Sequence, residues 1–108
     1  MKQATITSYT LLDFISEGDM DLFFSFIEDH MDGRAARLRE NGMTKFYVTQ
    51  IFNKGDKFTI ANWLAYRDQK AFVACDRIWQ EFMLDSRYKM QHIAKVVPHR
   101  GIVQYDFS

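Results

Sequence analysis

Residues 44–66 read TKFYVTQIFNKGDKFTIANWLAY, and this stretch decides the predicted fold. β-Branched and aromatic residues dominate 44–52 and 57–66, which is typical of strands. Between these two runs, residues 53–56 (NKGD) have the composition of a tight turn. We therefore predict a hairpin of two antiparallel strands.

A strand and a long helix are predicted before the hairpin. Residues 4–12 (ATITSYTLL) are mostly β-branched, aromatic or apolar and predict the first strand. Ser16 followed by Asp19 is a helix-capping pattern, and the apolar residues after it recur at three- and four-residue spacing. We expect this helix to loosen at Gly33 and to end at Asn41–Gly42.

A second helix is predicted after the hairpin, from about Asp68. Its apolar positions share one helical face. They are Ala71, Phe72, Cys75, Ile78, Trp79 and Phe82.

A third, short helix is predicted next, with Asp85 or Ser86 as its cap and Pro98 as its end. Its apolar positions are Tyr88, Ile93 and Val97. Residues 101–107 (GIVQYDF) predict the fourth strand. The order of the main elements is then βαββαβ, which is an α+β, ferredoxin-like arrangement. We expect one domain over residues 1–108, with a four-stranded antiparallel sheet and both main helices on one face.

Composition excludes several classes of protein. The chain has 108 residues, 14 basic and 14 acidic, and 47% of them are hydrophobic, so it is neither disordered nor a basic nucleic-acid binder. It contains no apolar run of about 18 residues and no signal-peptide pattern at its start. The lone Cys75 fits a reducing compartment. We expect a cytoplasmic protein with neither nucleic-acid nor membrane partners.

Large apolar side chains are predicted on both faces of the sheet. In the second strand Phe46, Val48 and Phe52 point one way, and Tyr47 and Ile51 point the other. In the third strand one side carries Phe58, Ile60, Leu64 and Tyr66, and the other carries Trp63. Helices cover only one face, so we expect a second copy of the chain to cover the other and form a homodimeric barrel.

A cavity between sheet and helices, or within that barrel, would be amphipathic. The residues that give it this character are Thr7, Tyr9, Tyr47, Thr49, Asn62 and Tyr105. A filled interface core made of the same residues is the open alternative.

Four stretches of the chain resemble the dimeric α+β barrel superfamily, in particular its NIPSNAP-like and antibiotic-biosynthesis-monooxygenase-like branches. They are Tyr9–Leu11, Phe46–Gln50, Asn62–Asp68 running into Ala71–Phe72, and Asp85–Tyr88. The resemblance implies a barrel dimer. Members of the monooxygenase branch oxidise aromatic polyketides without a metal or flavin.

A small hydrophobic or aromatic ligand is therefore expected, and the protein is interpreted as a possible cofactor-independent monooxygenase. The candidate substrate-binding residues are Tyr9, Tyr47, Asn62, Trp63, Tyr66 and Trp79. The alternative is a non-catalytic ligand-binding module or dimeric scaffold.

A third interpretation is a haem-binding or haem-degrading protein. Tyr88–His92 resembles the Phe-Lys-x-x-His segment of the haem-degrading members, which implies that His92 is the axial iron ligand and the catalytic candidate. The first-strand Asn of those members is replaced here by Thr7 or a neighbour. No other metal site is expected, because the three histidines show no i, i+4 pair and no cysteine cluster exists. Without haem we expect no cofactor.

Overall fold

The strands and helices follow the predicted order, βαββαβ. The computed structural model describes residues 5–53, 55, 57–83 and 93–108. In this part of the chain the elements are β1 (Ile6–Phe14), α1 (Glu17–Glu40), β2 (Met43–Gln50), β3 (Phe58–Tyr66), α2 (Gln69–Met83) and β4 (Ile93–Ile102). The predicted ferredoxin-like α+β fold is confirmed.

The sheet has the strand order β2-β3-β1-β4, and every neighbouring pair is antiparallel. β1 therefore lies inside the sheet, paired with β3 on one side and with β4 on the other. The register places Thr10 opposite Asn62 of β3 and opposite Pro98 of β4. Residues in such a row point to the same side of the sheet, because side chains alternate along each strand.

The predicted end of the chain is wrong. Residues Ile93–Ile102 form β4 and pair with β1, so Ile93 and Val97 lie on a strand and not on a short helix ended by Pro98. The tail after Ile102 forms no strand in the described residues, contrary to the predicted strand at 101–107. β4 is an edge strand, where a proline is tolerated. The remainder of the predicted short helix, including Tyr88, lies outside the described residues.

α1 begins as predicted. Ser16 is its N-cap, and the Asp19 backbone N–H donates a hydrogen bond of 3.2 Å to the Ser16 Oγ. The helix then runs unbroken through Gly33 to Glu40, so the expected loosening does not occur. The cost of a glycine in a helix is about 1 kcal/mol, and burial of side chains before and after Gly33 offsets it.

Both helices pack on the same face of the sheet, as predicted. One cluster of buried side chains joins Leu38 of α1 and Cys75 of α2 to Tyr66 of β3. A second cluster joins Phe23 of α1 to strand residues including Ile60. We call the covered side of the sheet the helix face and the other side the open face.

The predicted sidedness of the hairpin strands holds within β2 and β3. Phe46 packs against the first cluster and Val48 and Phe58 against the second, which places them on the helix face. Tyr47 and Trp63 lie on the open face, opposite each other in the register. Phe52 follows the end of β2 and is almost fully exposed, so it belongs to neither face.

Candidate functional site

A cavity of about 310 Å³ lies between the helix face of the sheet and α2. Its floor is formed by β1, β3 and β4 and its roof by α2. The described residues that line it are Ser8, Thr10, Leu12, Asn62, Leu64, Tyr66, Phe72, Asp76, Trp79, Gln80, Phe82, Val96, Pro98 and Arg100. The predicted space between sheet and helix therefore exists.

The roof of the cavity is aromatic. Trp79 packs edge-on against Phe46 of β2 and against Phe82, with ring centroids 5.6 and 5.7 Å apart. Its Nε1–H also donates a hydrogen bond of 3.1 Å to the Tyr66 Oη. The indole is thus fixed by packing and by a hydrogen bond, so it is a rigid wall of the cavity.

Asn62 contributes a polar atom with no partner. Its Oδ1 is buried, and no hydrogen bond to it is found within the described part of the chain. A buried acceptor of this kind costs about 1–3 kcal/mol when it is unsatisfied. Buried polar atoms in folded proteins are nearly always satisfied, so the Asn62 Oδ1 is a candidate contact for a hydrogen-bond donor.

Tyr66 is a hydrogen-bond donor in this cavity and not a base. Burial raises the pKa of its phenol to about 12, although the hydrogen bond from Trp79 acts in the opposite direction. The phenol therefore keeps its proton at neutral pH. Since its oxygen already accepts from Trp79, the Tyr66 hydroxyl proton remains available to another group.

Charged groups lie at the rim of the cavity, one of each sign among the described lining residues. Asp76 accepts a hydrogen bond of 2.9 Å from Gln80 Nε2. The Arg100 guanidinium lies over the Phe72 ring, 5.8 Å from its centroid. The rim is therefore polar, and its charges balance.

The six predicted binding residues divide between the two faces of the sheet. Asn62, Tyr66 and Trp79 line the cavity. Tyr9, Tyr47 and Trp63 do not, because the register places them on the open face.

His99 of β4 completes a row on the open face that runs Tyr47, Trp63, Tyr9, His99 across the sheet. The rings of Tyr47 and Trp63 stack with centroids 5.8 Å apart, and those of Tyr9 and His99 lie 6.3 Å apart. We call these four residues the aromatic row.

Strand alternation was the signal that could have separated the two groups. Asn62 and Trp63 are neighbours in one strand and must point to opposite faces. The contributions of Val96, Pro98 and Arg100 were missed because this segment was predicted to be a helix and its end.

Haem finds no axial ligand in the described cavity. Its described lining residues include no His, Cys or Met, and the buried Tyr66 phenol resists the deprotonation that a tyrosinate ligand requires. His92 lies outside the described residues. Across the described part of the chain, no group of three or more His, Cys, Asp or Glu side chains is placed to hold a metal ion.

A second hollow of about 360 Å³ lies at the end of the sheet, near Phe14, Lys57 and Phe58. Its lining includes two charged residues, Asp13 and Lys57. Within the described residues, neither helix is long and apolar enough to cross a membrane.

Solved structures of known proteins share this fold over nearly the whole chain. A dimeric ferredoxin-like protein from an uncultured marine organism is 24% identical, with a TM-score of 0.88, and the match covers 96% of this chain and 99% of that one. A proposed antibiotic biosynthesis monooxygenase from Nitrosomonas europaea is 11% identical, with a TM-score of 0.69 and coverages of 97% and 95%. A NIPSNAP family protein from Agrobacterium tumefaciens is 13% identical, with a TM-score of 0.64 and coverages of 100% and 92%.

A variant of MhuD with two manganese protoporphyrin IX molecules bound per active site also shares the fold. It is 10% identical to this chain, with a TM-score of 0.70 and coverages of 95% and 98%. At these identities the matches establish the fold alone. They confirm the predicted resemblance to antibiotic-biosynthesis-monooxygenase-like and NIPSNAP proteins at the level of the fold.

The sequence itself matches one family model. No curated protein matches the chain significantly. Residues 3–103 match the model of a domain of unknown function, DUF6974. This match spans all of the described helices and strands, so the chain is a member of the DUF6974 family.

Proposed function

We propose that this protein binds a small aromatic or hydrophobic molecule in the cavity between the sheet and α2. The observation that carries the proposal is the buried, unpartnered Oδ1 of Asn62 in the floor of a cavity with an aromatic roof. A mostly apolar cavity with a few placed polar atoms is the usual form of a small-molecule site. The volume of about 310 Å³ is at the small end of such sites.

The proposed partner is a second copy of the chain, packed on the open face. Support comes from the aromatic row, in which Tyr47 is 50% and Trp63 37% exposed. The similar marine protein is described as dimeric. We also propose a cytoplasmic location. The lone thiol of Cys75 is buried and free, which fits a reducing compartment.

The ligand proposal is tested by filling the cavity. Val96 lines it from the edge strand β4 and is about half exposed, so Val96→Trp places an indole in the cavity at little cost to folding. Val73 of α2 is equally exposed but lies outside the cavity, which makes Val73→Trp the matched control. Titration calorimetry with 2-methylnaphthalene and 2-naphthol measures binding to each protein.

We expect each probe to bind Val73→Trp with the same Kd that it has for the wild type. Val96→Trp should bind them at least about ten-fold more weakly, because the indole takes the space of the ligand. Absence of binding to the wild type, or equal binding to the two variants, contradicts the proposal.

A cofactor-independent monooxygenase is the second candidate. Asp76 favours it, because this carboxylate lines the same cavity as Asn62 and Trp79 and could accept the proton of an acidic hydroxyl. The resulting substrate anion would then react with O2. One oxygen atom converts a ring CH2 group of the substrate to C=O, and the other oxygen atom leaves as water. Oxygen uptake with anthrone as the probe separates an enzyme from a binding module.

Haem binding through His92 is the third candidate, and a Soret titration of wild type and His92→Ala tests it.

A further inference from the structure

A polar pair lies in the centre of the cavity floor. Asn62 of β3 and Thr10 of β1 are directly opposite each other in the register, and both line the cavity. Side chains at such positions have Cβ atoms about 4.5–5.5 Å apart, so one small group can reach both. We call Thr10 and Asn62 the polar pair.

Mostly apolar groups surround the polar pair, and the hydroxyl residue Ser8 lines the cavity two positions before Thr10 on β1. Leu12 and Leu64 flank it along β1 and β3, and Pro98 lies beside Thr10 on β4. Above it is the aromatic roof of α2. These surroundings favour a ligand that is apolar over most of its surface and carries a polar group on the side that faces the sheet.

The chemistry of the polar pair selects that polar group. Asn62 Oδ1 can only accept a hydrogen bond, so the ligand must donate to it. The Thr10 hydroxyl can donate in return, so a ligand atom that both donates and accepts satisfies the two residues together. A hydroxyl is the smallest group with both properties.

The charges at the rim indicate a neutral ligand. Asp76 and Arg100 line the cavity with opposite signs. An anion or a cation that enters would lose hydration and meet one attractive and one repulsive charge. A neutral molecule avoids this cost.

We infer that the ligand is a neutral aromatic molecule of one or two rings, whose ring hydroxyl is held by Asn62 and Thr10. This inference rests on the proposed ligand-binding function. It deepens that function by assigning a polarity and a contact to the ligand. The ring lies under the aromatic roof, and the hydroxyl points to the sheet.

Three matched probes test the inference by titration calorimetry. 2-Naphthol carries the hydroxyl, 2-methylnaphthalene replaces it with a methyl group of similar size, and 2-naphthoate carries an anion. We expect 2-naphthol to bind the wild type about ten-fold more tightly than 2-methylnaphthalene, because only the hydroxyl relieves the buried acceptor. The naphthoate should bind more weakly than the naphthol.

Two variants locate the effect. Asn62→Leu should reduce the ten-fold preference to about one, and Thr10→Val should weaken it, which gives an independent reading if Asn62→Leu fails to fold. Gln50→Leu is the control, since Gln50 is an exposed strand amide outside the cavity. It should keep the full preference.

The outcomes separate the inference from the function on which it rests. If 2-naphthol and 2-methylnaphthalene bind the wild type equally well, the inference is overturned and the ligand-binding function stands. Tighter binding of the naphthoate overturns the neutral assignment. If none of the three probes binds, the ligand-binding function itself fails.

Discussion

Tyr66 illustrates, at the scale of one residue, how burial sets the chemistry of the cavity. Its side chain is 2% exposed, and its oxygen accepts the Trp79 hydrogen bond. Burial raises its pKa to about 12 because a phenolate has little solvation there. The phenol therefore keeps its proton over the whole neutral and moderately alkaline range.

This pKa predicts the alkaline stability of the protein. The phenol ionises near pH 10 in the unfolded chain and near 12 in the folded one, so its contribution is complete below pH 10 and is lost as the pH rises toward 12. Over that range the free energy of unfolding of the wild type should fall by up to about 1.4 kcal/mol per pH unit more than that of Tyr66→Phe. Urea denaturation at pH 9, 10 and 11 measures the difference. Parallel pH profiles for the two proteins would contradict the pKa.

Residue type alone did not predict which of the candidate residues lie in the same place. Asn62, Tyr66 and Trp79 were predicted binding residues and do line the cavity. Tyr9 and Trp63 were grouped with them by residue type, although the register sends them to the open face. Composition reports which side chains can contact an aromatic ligand, whereas the pairing of strands decides which of them meet.

At the scale of elements, Gly42 connects the end of α1 to β2. Its φ is +105°, in the left-handed region that glycine adopts without strain. A Cβ atom at this position would also overlap the Cβ of Ala71, in the first turn of α2. The Gly42 carbonyl accepts a hydrogen bond of 2.9 Å from the Arg67 N–H, which connects the turn to the end of β3.

Two glycine substitutions should therefore have opposite effects. Gly42→Ala should destabilise the fold by about 2 kcal/mol or more, since it combines backbone strain with the overlap at Ala71. Gly33→Ala should stabilise it by about 0.5–1 kcal/mol, because Gly33 lies inside α1 with open space around it. Urea denaturation of both variants checks this. A loss of stability in Gly33→Ala, or none in Gly42→Ala, would show that the reasoning is wrong.

The helices and strands were predicted correctly where the local sequence pattern agrees with the tertiary pairing. The hairpin of β2 and β3 and the cap of α1 at Ser16 are encoded in neighbouring residues. The fourth strand was predicted too late in the chain because Pro98 is a strong local signal for a helix end, while the pairing that makes residues 93–102 a strand is with β1, far away in the sequence. Nonlocal pairing of this kind is invisible to local spacing.

At the scale of the whole molecule, the helices cover one face of the sheet and the aromatic row crosses the other. Aromatic residues and histidine run from β2 to β4 there, and Trp63 lies near the middle of the row. Contact residues of this type at the centre of an interface contribute most to association. The proposed dimer should therefore depend strongly on Trp63.

Sedimentation equilibrium tests this dependence. We expect the wild type to sediment as a dimer at micromolar concentration and Trp63→Glu to raise the dimer dissociation constant at least about 100-fold, because a charge would be buried without a partner. The control is Val73→Glu, which introduces the same charge at an exposed position of α2. This variant should remain dimeric. Circular dichroism establishes that both variants are folded. A monomeric wild type at high micromolar concentration would refute the proposed dimer.

Asn62 and Trp63 share one peptide bond, yet one points into the cavity and the other into the proposed subunit contact. Only the backbone of β3 therefore separates the cavity from the proposed subunit contact. A ligand on one side of the sheet and a second subunit on the other both contact this strand. Thermodynamic reciprocity then applies to the two events: a small molecule that tightened assembly would itself be held more firmly by the assembled pair, by the same factor.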